Sequence, residues 1–211
     1  MHFAAVLASS LFALAPLAQD APTIGRAPAA KTPAPAVATE DGPHAKLLAM
    51  LGPELEKADG SKVKTTDALK GREHVLVYFT ASWCGPCRRF TPDLVKYANE
   101  HAKADDFTII LVGSDRSADA QQAYMEKSKM PFLAVPFGTD AVKKVKRAYA
   151  GSGIPNLLIL DPDGKVVKGS YETDGRYSPE NRGSYIGPQQ VLAKFTQMRA
   201  DAEKAASTEA G

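Results

Sequence analysis

The sequence predicts an α/β domain, a mixed central β-sheet flanked by helices on both faces. Two observations carry that prediction. Short unbroken apolar runs, "HVLVYFTA" (74–81), "FTIILVGS" (107–114) and "NLLILD" (156–161), have the length of buried strands and alternate with stretches of helical period. After the last run, Pro162-Asp163-Gly164 turns the chain into "KVVKGS", a hairpin that makes the sheet mixed rather than purely parallel. At 211 residues, 44% hydrophobic and 24% charged, the chain can bury one proper core and carry extensions.

The first 18 residues, "MHFAAVLASSLFALAPLA", have the length of a signal-peptide apolar region and fall short of a membrane span. They predict export, to the periplasm or the exterior, as a signal peptide or as an uncleaved leader that would anchor the protein. Residues 19–43 carry Pro22, Pro28, Pro33, Pro35 and Pro43 with almost no large apolar side chain, too little to offset chain entropy. They are expected to be a Pro/Ala-rich disordered linker. The ordered domain is then expected over 44–206, with 207–211 a polar tail.

Within the domain, "AKLLAML" (45–51) predicts a short helix stopped by Gly52 and Pro53. Two short strand pieces flank the turn at Asp59-Gly60, and "TTDALKG" reads as a helical turn ending at Gly71. The strand at 74–81 leads into the helix "GPCRRFTPDLVKYANEHAK", with Phe90, Leu94 and Ala98 on one face. The strand at 107–114 precedes the helix "SADAQQAYMEKS", and "FLAVPF" (132–137) predicts a short strand before the amphipathic helix 140–150. After the hairpin, residues 187–206 close the domain as a helix that turns Val191, Leu192, Phe195 and Met198 inward.

A net charge of +2, with Lys and Arg interspersed among Asp and Glu, gives no basis for a nucleic-acid partner. Attention therefore falls on the only two cysteines, in "YFTASWCGPCRRFTP" (78–92). The strand before them and the helix after them put Cys84 at a helix N-terminus, where amides and the dipole favour an anion and acidify the thiol relative to the usual value of about 8.5. Cys84 is the expected nucleophile. Pro86 suits the first helical turn, Gly85 removes bulk beside the sulfur, and Cys87 lies one turn on, within reach of Cys84 for a disulfide. A zinc site wants four ligands, whereas His2, His44, His74 and His101 are scattered singly. A purely structural bridge would close a minimal loop and constrain little. Redox exchange suits the pair best.

"WCGPC" at this junction, with Pro92 eight residues after Cys84, resembles the thioredoxin-fold oxidoreductases, and "SGIPNLLILDPDG" (152–164) is similar to their cis-proline loop and following hairpin. "LVGSDRSADAQQAYM" and "MPFLAVPF" further resemble the tryparedoxin and nucleoredoxin branch, over about residues 52–170. The resemblance implies a thioredoxin fold, with Pro155 the cis-proline and the Ile154 backbone pairing with an extended substrate segment. Trp83, Gly85, Pro86, Ile154 and Pro155 would form the substrate-binding surface. Tyr78 stands where ordinary thioredoxins carry a buried Asp, and matches the tryparedoxin group; it is either a modulator of Cys87 or a core aromatic. Gly85 stands where that group commonly has Pro, and "DGRYSPENRGSYIG" (174–187) has no counterpart in it.

The expected function is thiol–disulfide oxidoreduction. Cys84 and Cys87 would reduce disulfides in exported partner proteins through a mixed disulfide. No metal or organic cofactor is called for beyond the redox-active disulfide. A membrane relay or a thiol protein would return the electrons. An exported dithiol oxidase or isomerase, and a non-enzymatic adaptor using the same surface, are the alternatives that the residues leave open.

Overall fold

The computed structural model describes residues 42–172 and 184–209. The leader, nearly all of the expected linker (19–41) and residues 173–183 lie outside the described residues. The elements run α1 (Ala45–Leu51), β1 (Glu54–Glu56), β2 (Lys62–Lys64), α2 (Thr65–Leu69), β3 (His74–Thr80), α3 (Gly85–Glu100), β4 (Phe107–Gly113), α4 (Ala118–Lys127), β5 (Leu133–Ala134), α5 (Asp140–Tyr149), β6 (Asn156–Leu160), β7 (Val166–Gly169) and α6 (Pro188–Glu209).

The strands pair in one sheet of order β2-β1-β5-β4-β3-β6-β7. β3 pairs parallel with β4, and β4 with β5; β6 is antiparallel to both β3 and β7. The sheet is therefore mixed, as the hairpin signal predicts.

Side chains alternate across a strand, so β3 feeds two cores. Leu76 and Tyr78 point to one face and pack with Phe90 and Leu94 of α3, Met125 of α4, and Val191 and Phe195 of α6. Val75, Val77 and Phe79 point to the other and meet Leu47 and Leu51 of α1 and Val142 and Val145 of α5. This two-sided burial explains the unbroken apolar runs in β3, β4 and β6. Phe90 and Leu94 are fully buried, each contributing about 1.5–3 kcal/mol of burial energy.

Differences from the sequence reading lie at element ends. β5 is reduced to two residues because Pro131 and Pro136 bracket it and neither can donate to a ladder. Helix α6 continues to Glu209, past the expected start of the tail; the Ser207 and Thr208 hydroxyls donate back to the Lys204 carbonyl. At α6's inner face Arg199 makes paired hydrogen bonds to both Asp106 carboxylate oxygens, at 2.6 and 3.0 Å, and lies over the Phe107 ring. That clamp fixes the C-terminal helix to the start of β4.

Candidate active site

β3 ends at Thr80, and four residues later Cys84 is the N-cap of α3 in an extended conformation, with φ −80° and ψ 109°. The Cys87 N–H donates to Cys84 Sγ at 3.1 Å, so a sulfur fills the place usually taken by a capping oxygen. The two cysteines are joined in a disulfide with Cα atoms 5.2 Å apart. Cys84 keeps 5% of its surface exposed and Cys87 none, which leaves one sulfur for a partner to reach.

The approach to the cysteines is held by the loop after β4. The Ser82 N–H donates to Asp115 Oδ1 at 2.8 Å, and Trp83 Nε1–H donates to the Ser114 carbonyl at 2.9 Å. Trp83 is pinned at its polar end yet 56% exposed, presenting an apolar face beside Cys84. Asp115 is buried, and its Oδ2 meets no hydrogen-bond partner among the described residues. Its charge is felt by half-buried Lys146, whose pKa burial lowers while Asp115 opposes that shift.

Opposite the disulfide, the Ile154–Pro155 peptide bond is cis. Cys84 Sγ lies 3.7 Å from the Ile154 carbonyl oxygen, a contact rather than a hydrogen bond because a disulfide sulfur carries no proton. Half-buried Ile154 packs against Ala81, Cys84 and Cys87. Of the residues expected to face a partner, Trp83 and Pro86 are exposed, Gly85 and Ile154 are half-buried, and Pro155 is buried. Beyond its chain neighbours, a Cβ on Gly85 would meet only Arg89 Nη1, at 3.8 Å, so open surface surrounds that position.

Tyr78 lies fully buried beneath Cys87. Its phenol stands 3.0 Å from Thr91 Oγ1 and 3.3 Å from the Cys87 carbonyl, and burial pushes its pKa well above the usual value. Thr91 Oγ1 donates to the Cys87 carbonyl at 2.9 Å, which commits its single proton; its lone pairs therefore accept from Tyr78 and, at 2.6 Å, from Tyr124. Thr80 Oγ1 completes the chain 3.3 Å from the Tyr124 hydroxyl. The network ends on the main chain of Cys87, and a protonated phenol there is no base at neutral pH.

Among the described residues no group of three or more His, Cys, Asp or Glu is placed to hold a metal. Thr91, Tyr124 and Asp115 escaped the sequence reading. Thr91 alone left a signal, as a polar residue four after Cys87 on the buried face of α3. Tyr171 and Tyr185, which reach the cis-proline loop, were missed as well.

Residues 71–166, from just before β3 to the start of β7, match the family model described as thioredoxin-like. Bovine nucleoredoxin is 37% identical over 153 residues, which are 72% of this chain and 34% of that protein. The solved thioredoxin of Wuchereria bancrofti is 34% identical with a TM-score of 0.54, the match covering 71% of this chain and 97% of that one. The chain belongs to the thioredoxin-like family of thiol–disulfide oxidoreductases. Within that family it falls in the nucleoredoxin and tryparedoxin branch: tryparedoxin II of C. fasciculata is 30% identical with a TM-score of 0.51, the match covering 60% of this chain and 84% of that one. The chain spans only 21% to 34% of the length of the first nucleoredoxins it matches. Proteins of this fold generally use no cofactor beyond their redox disulfide.

Membership of this branch corrects the expectation of export. Nucleoredoxins and tryparedoxins are intracellular, which contradicts the expected periplasmic or secreted location and leaves the signal peptide read at residues 1–18 without support.

Proposed function

We propose that the protein reduces disulfides in partner proteins by dithiol–disulfide exchange. The observation that carries this reading is the pairing of a partly exposed N-cap sulfur, Cys84, with a fully buried Cys87 behind it, opposite the cis Ile154–Pro155 loop.

In the reduced protein the α3 N-terminus and the Cys87 N–H favour a thiolate at Cys84. That thiolate attacks one sulfur of the partner disulfide. A Cys84–partner S–S bond forms, the partner S–S bond breaks, and the other partner sulfur leaves as a thiolate that takes up a proton. Cys87, deprotonated, then attacks Cys84 Sγ, closes the internal disulfide and releases the second partner sulfur as a thiol. Two electrons and two protons pass to the partner. A thiol donor, either a small dithiol or another thiol protein, restores the reduced form by the reverse exchange. Trp83, Gly85, Pro86 and Ile154 form the docking surface, and the Ile154 backbone pairs with an extended partner segment.

The test is reduction of insulin by the dithiol protein, with Cys84→Ser expected inert and Cys87→Ser expected to accumulate mixed disulfides. A couple near −270 mV, roughly the thioredoxin value, supports a reductase; one near −120 mV, about that of a strong dithiol oxidase, reverses the direction. Partner binding that survives Cys84→Ala, with no mixed disulfide trapped, would leave only an adaptor.

A further inference from the structure

The loop that faces Cys84 is intrinsically loose. Between the end of α5 and β6 the chain reads Ala150-Gly151-Ser152-Gly153-Ile154-Pro155, and its two glycines widen the conformations open to it. It is held from outside by a strap built from residues that follow β7.

The strap is stitched to the sheet by its main chain. The Ser170 N–H donates to the Leu157 carbonyl, and the Ile186 and Gly187 N–H groups both donate to the Ser170 carbonyl. Tyr171 and Tyr185 face each other across an antiparallel bridge, with ring centroids 5.1 Å apart. From that frame two phenols reach the loop. Ser152 Oγ donates to the Tyr171 hydroxyl at 2.8 Å, and Tyr171 packs so closely on Gly151 that a Cβ there would overlap its ring. The Tyr185 hydroxyl donates to the Pro155 carbonyl at 2.8 Å. That carbonyl belongs to the residue immediately after Ile154, whose own carbonyl touches Cys84 Sγ.

The two tyrosines differ in exposure. Tyr171 is 4% exposed and serves as core; Tyr185 is 42% exposed, one of three large apolar side chains so open among the described residues, alongside Trp83 and Val167. The main-chain bonds of the strap form without the Tyr185 hydroxyl, so its bond to Pro155 is additional to what folds the strap. Burial of the hydroxyl end pushes the Tyr185 pKa up to about 12, which keeps the group a donor across the ordinary pH range.

We propose that Tyr185 is a positioning residue for partner docking: through the Pro155 carbonyl it holds Ile154 in the attitude from which its main chain pairs with a protein disulfide segment. The inference rests on the oxidoreductase reading above and adds a residue that lies outside the stretch, about 52–170, on which the resemblance to the tryparedoxin group rests. It predicts discrimination by substrate size. A protein disulfide docks as extended chain along Ile154 and needs the loop fixed. The small disulfide cystine needs only access to Cys84 Sγ.

The test uses the full chain, reduced, with insulin and cystine as the two oxidants. Tyr185→Phe keeps the ring and removes one hydrogen bond, so the second-order rate constant with insulin falls about 3- to 10-fold. The rate with cystine and the equilibrium reduction potential stay at wild-type values. Ser152→Ala, which removes the loop's hydrogen bond to the Tyr171 hydroxyl and leaves the Tyr171 ring on Gly151, loosens the same loop, is expected to give the same pattern in smaller measure, and carries the test if the first variant folds poorly. An unchanged insulin rate in Tyr185→Phe, or equal losses with insulin and cystine, would overturn this inference alone. A wild-type protein inert toward both oxidants would overturn the oxidoreductase reading and the inference with it.

Discussion

Replacing Thr91 by Val tests the buried network beneath Cys87. The two side chains have nearly the same shape, so the change removes a hydroxyl and little else. Three contacts go: the bond to the Cys87 carbonyl at 2.9 Å and those to Tyr78 and Tyr124 at 3.0 and 2.6 Å. Two survive, both at 3.3 Å: Tyr78 to the Cys87 carbonyl, and the Thr80–Tyr124 hydroxyl pair. The Tyr78 proton that Thr91 accepted turns to the Cys87 carbonyl and the Thr80–Tyr124 pair persists, so the net loss is two hydrogen bonds at about 1 kcal/mol each, or about 2 kcal/mol. Thr91→Ser keeps the hydroxyl and loses a methyl, costing about 1 kcal/mol. Urea denaturation at unchanged m-value reads both figures. Because the network ends on the Cys87 main chain, the loss is expected in oxidised and reduced protein alike, leaving the reduction potential within about 30 mV, the equivalent of 1.4 kcal/mol for this couple. A Val variant as stable as wild type, or Ser as costly as Val, would refute the bookkeeping. A larger shift in potential would show that the phenols act on the Cys87 sulfur.

Other consequences are separately measurable. Burial pushes Tyr149 and Tyr185 up to about 12, above the value near 10 they share in the unfolded chain. Folding therefore favours their protonated forms, and the stability they add is complete below about pH 10 and drains away up to about pH 12. Tyr149→Phe, which also loses the bond to the Gly164 carbonyl, should flatten part of that decline in urea midpoints taken against pH. Asp115→Ala removes the acceptor of the Ser82 N–H and is expected to slow insulin reduction about 10-fold, whereas Asp115→Asn keeps an acceptor and most of the rate. Arg199→Lys should cost about 1–3 kcal/mol in denaturation, because an ammonium cannot reproduce the paired bonds to Asp106 or the stacking on Phe107.

What was legible in the sequence follows from the range of the forces involved. β3, β4 and β6 announced themselves because burial on two faces demands apolar residues at every position, a local pattern. Cys84 and Cys87 could be placed on a helix N-terminus because strand and helix periods meet at Trp83. The shortening of β5 was written in Pro131 and Pro136, whose missing donors outweigh the apolar run between them. Tyr124 and Tyr185 were hidden for a different reason. Tyr124 meets Thr91 across 33 residues and Tyr185 meets Pro155 across 30, and no local period encodes such meetings. Residues 1–18 were legible as apolar, but apolarity does not state a destination, and the intracellular relatives contradict the one read from it.

The unequal burial of the two sulfurs constrains traffic in both directions. A donor thiolate arriving at the oxidised protein meets Cys84, the sulfur that attacks a partner disulfide when the protein is reduced, and Cys87 is the leaving group in one case and the attacker in the other. Forward and reverse exchange therefore share one covalent complex, and the route carries no information about which way electrons run. A Cys87→Ser protein is accordingly a bait in one direction: loaded as a thiol it retains the proteins this chain reduces, whereas loaded as a mixed disulfide it retains only a donor with no second thiol to resolve the bond.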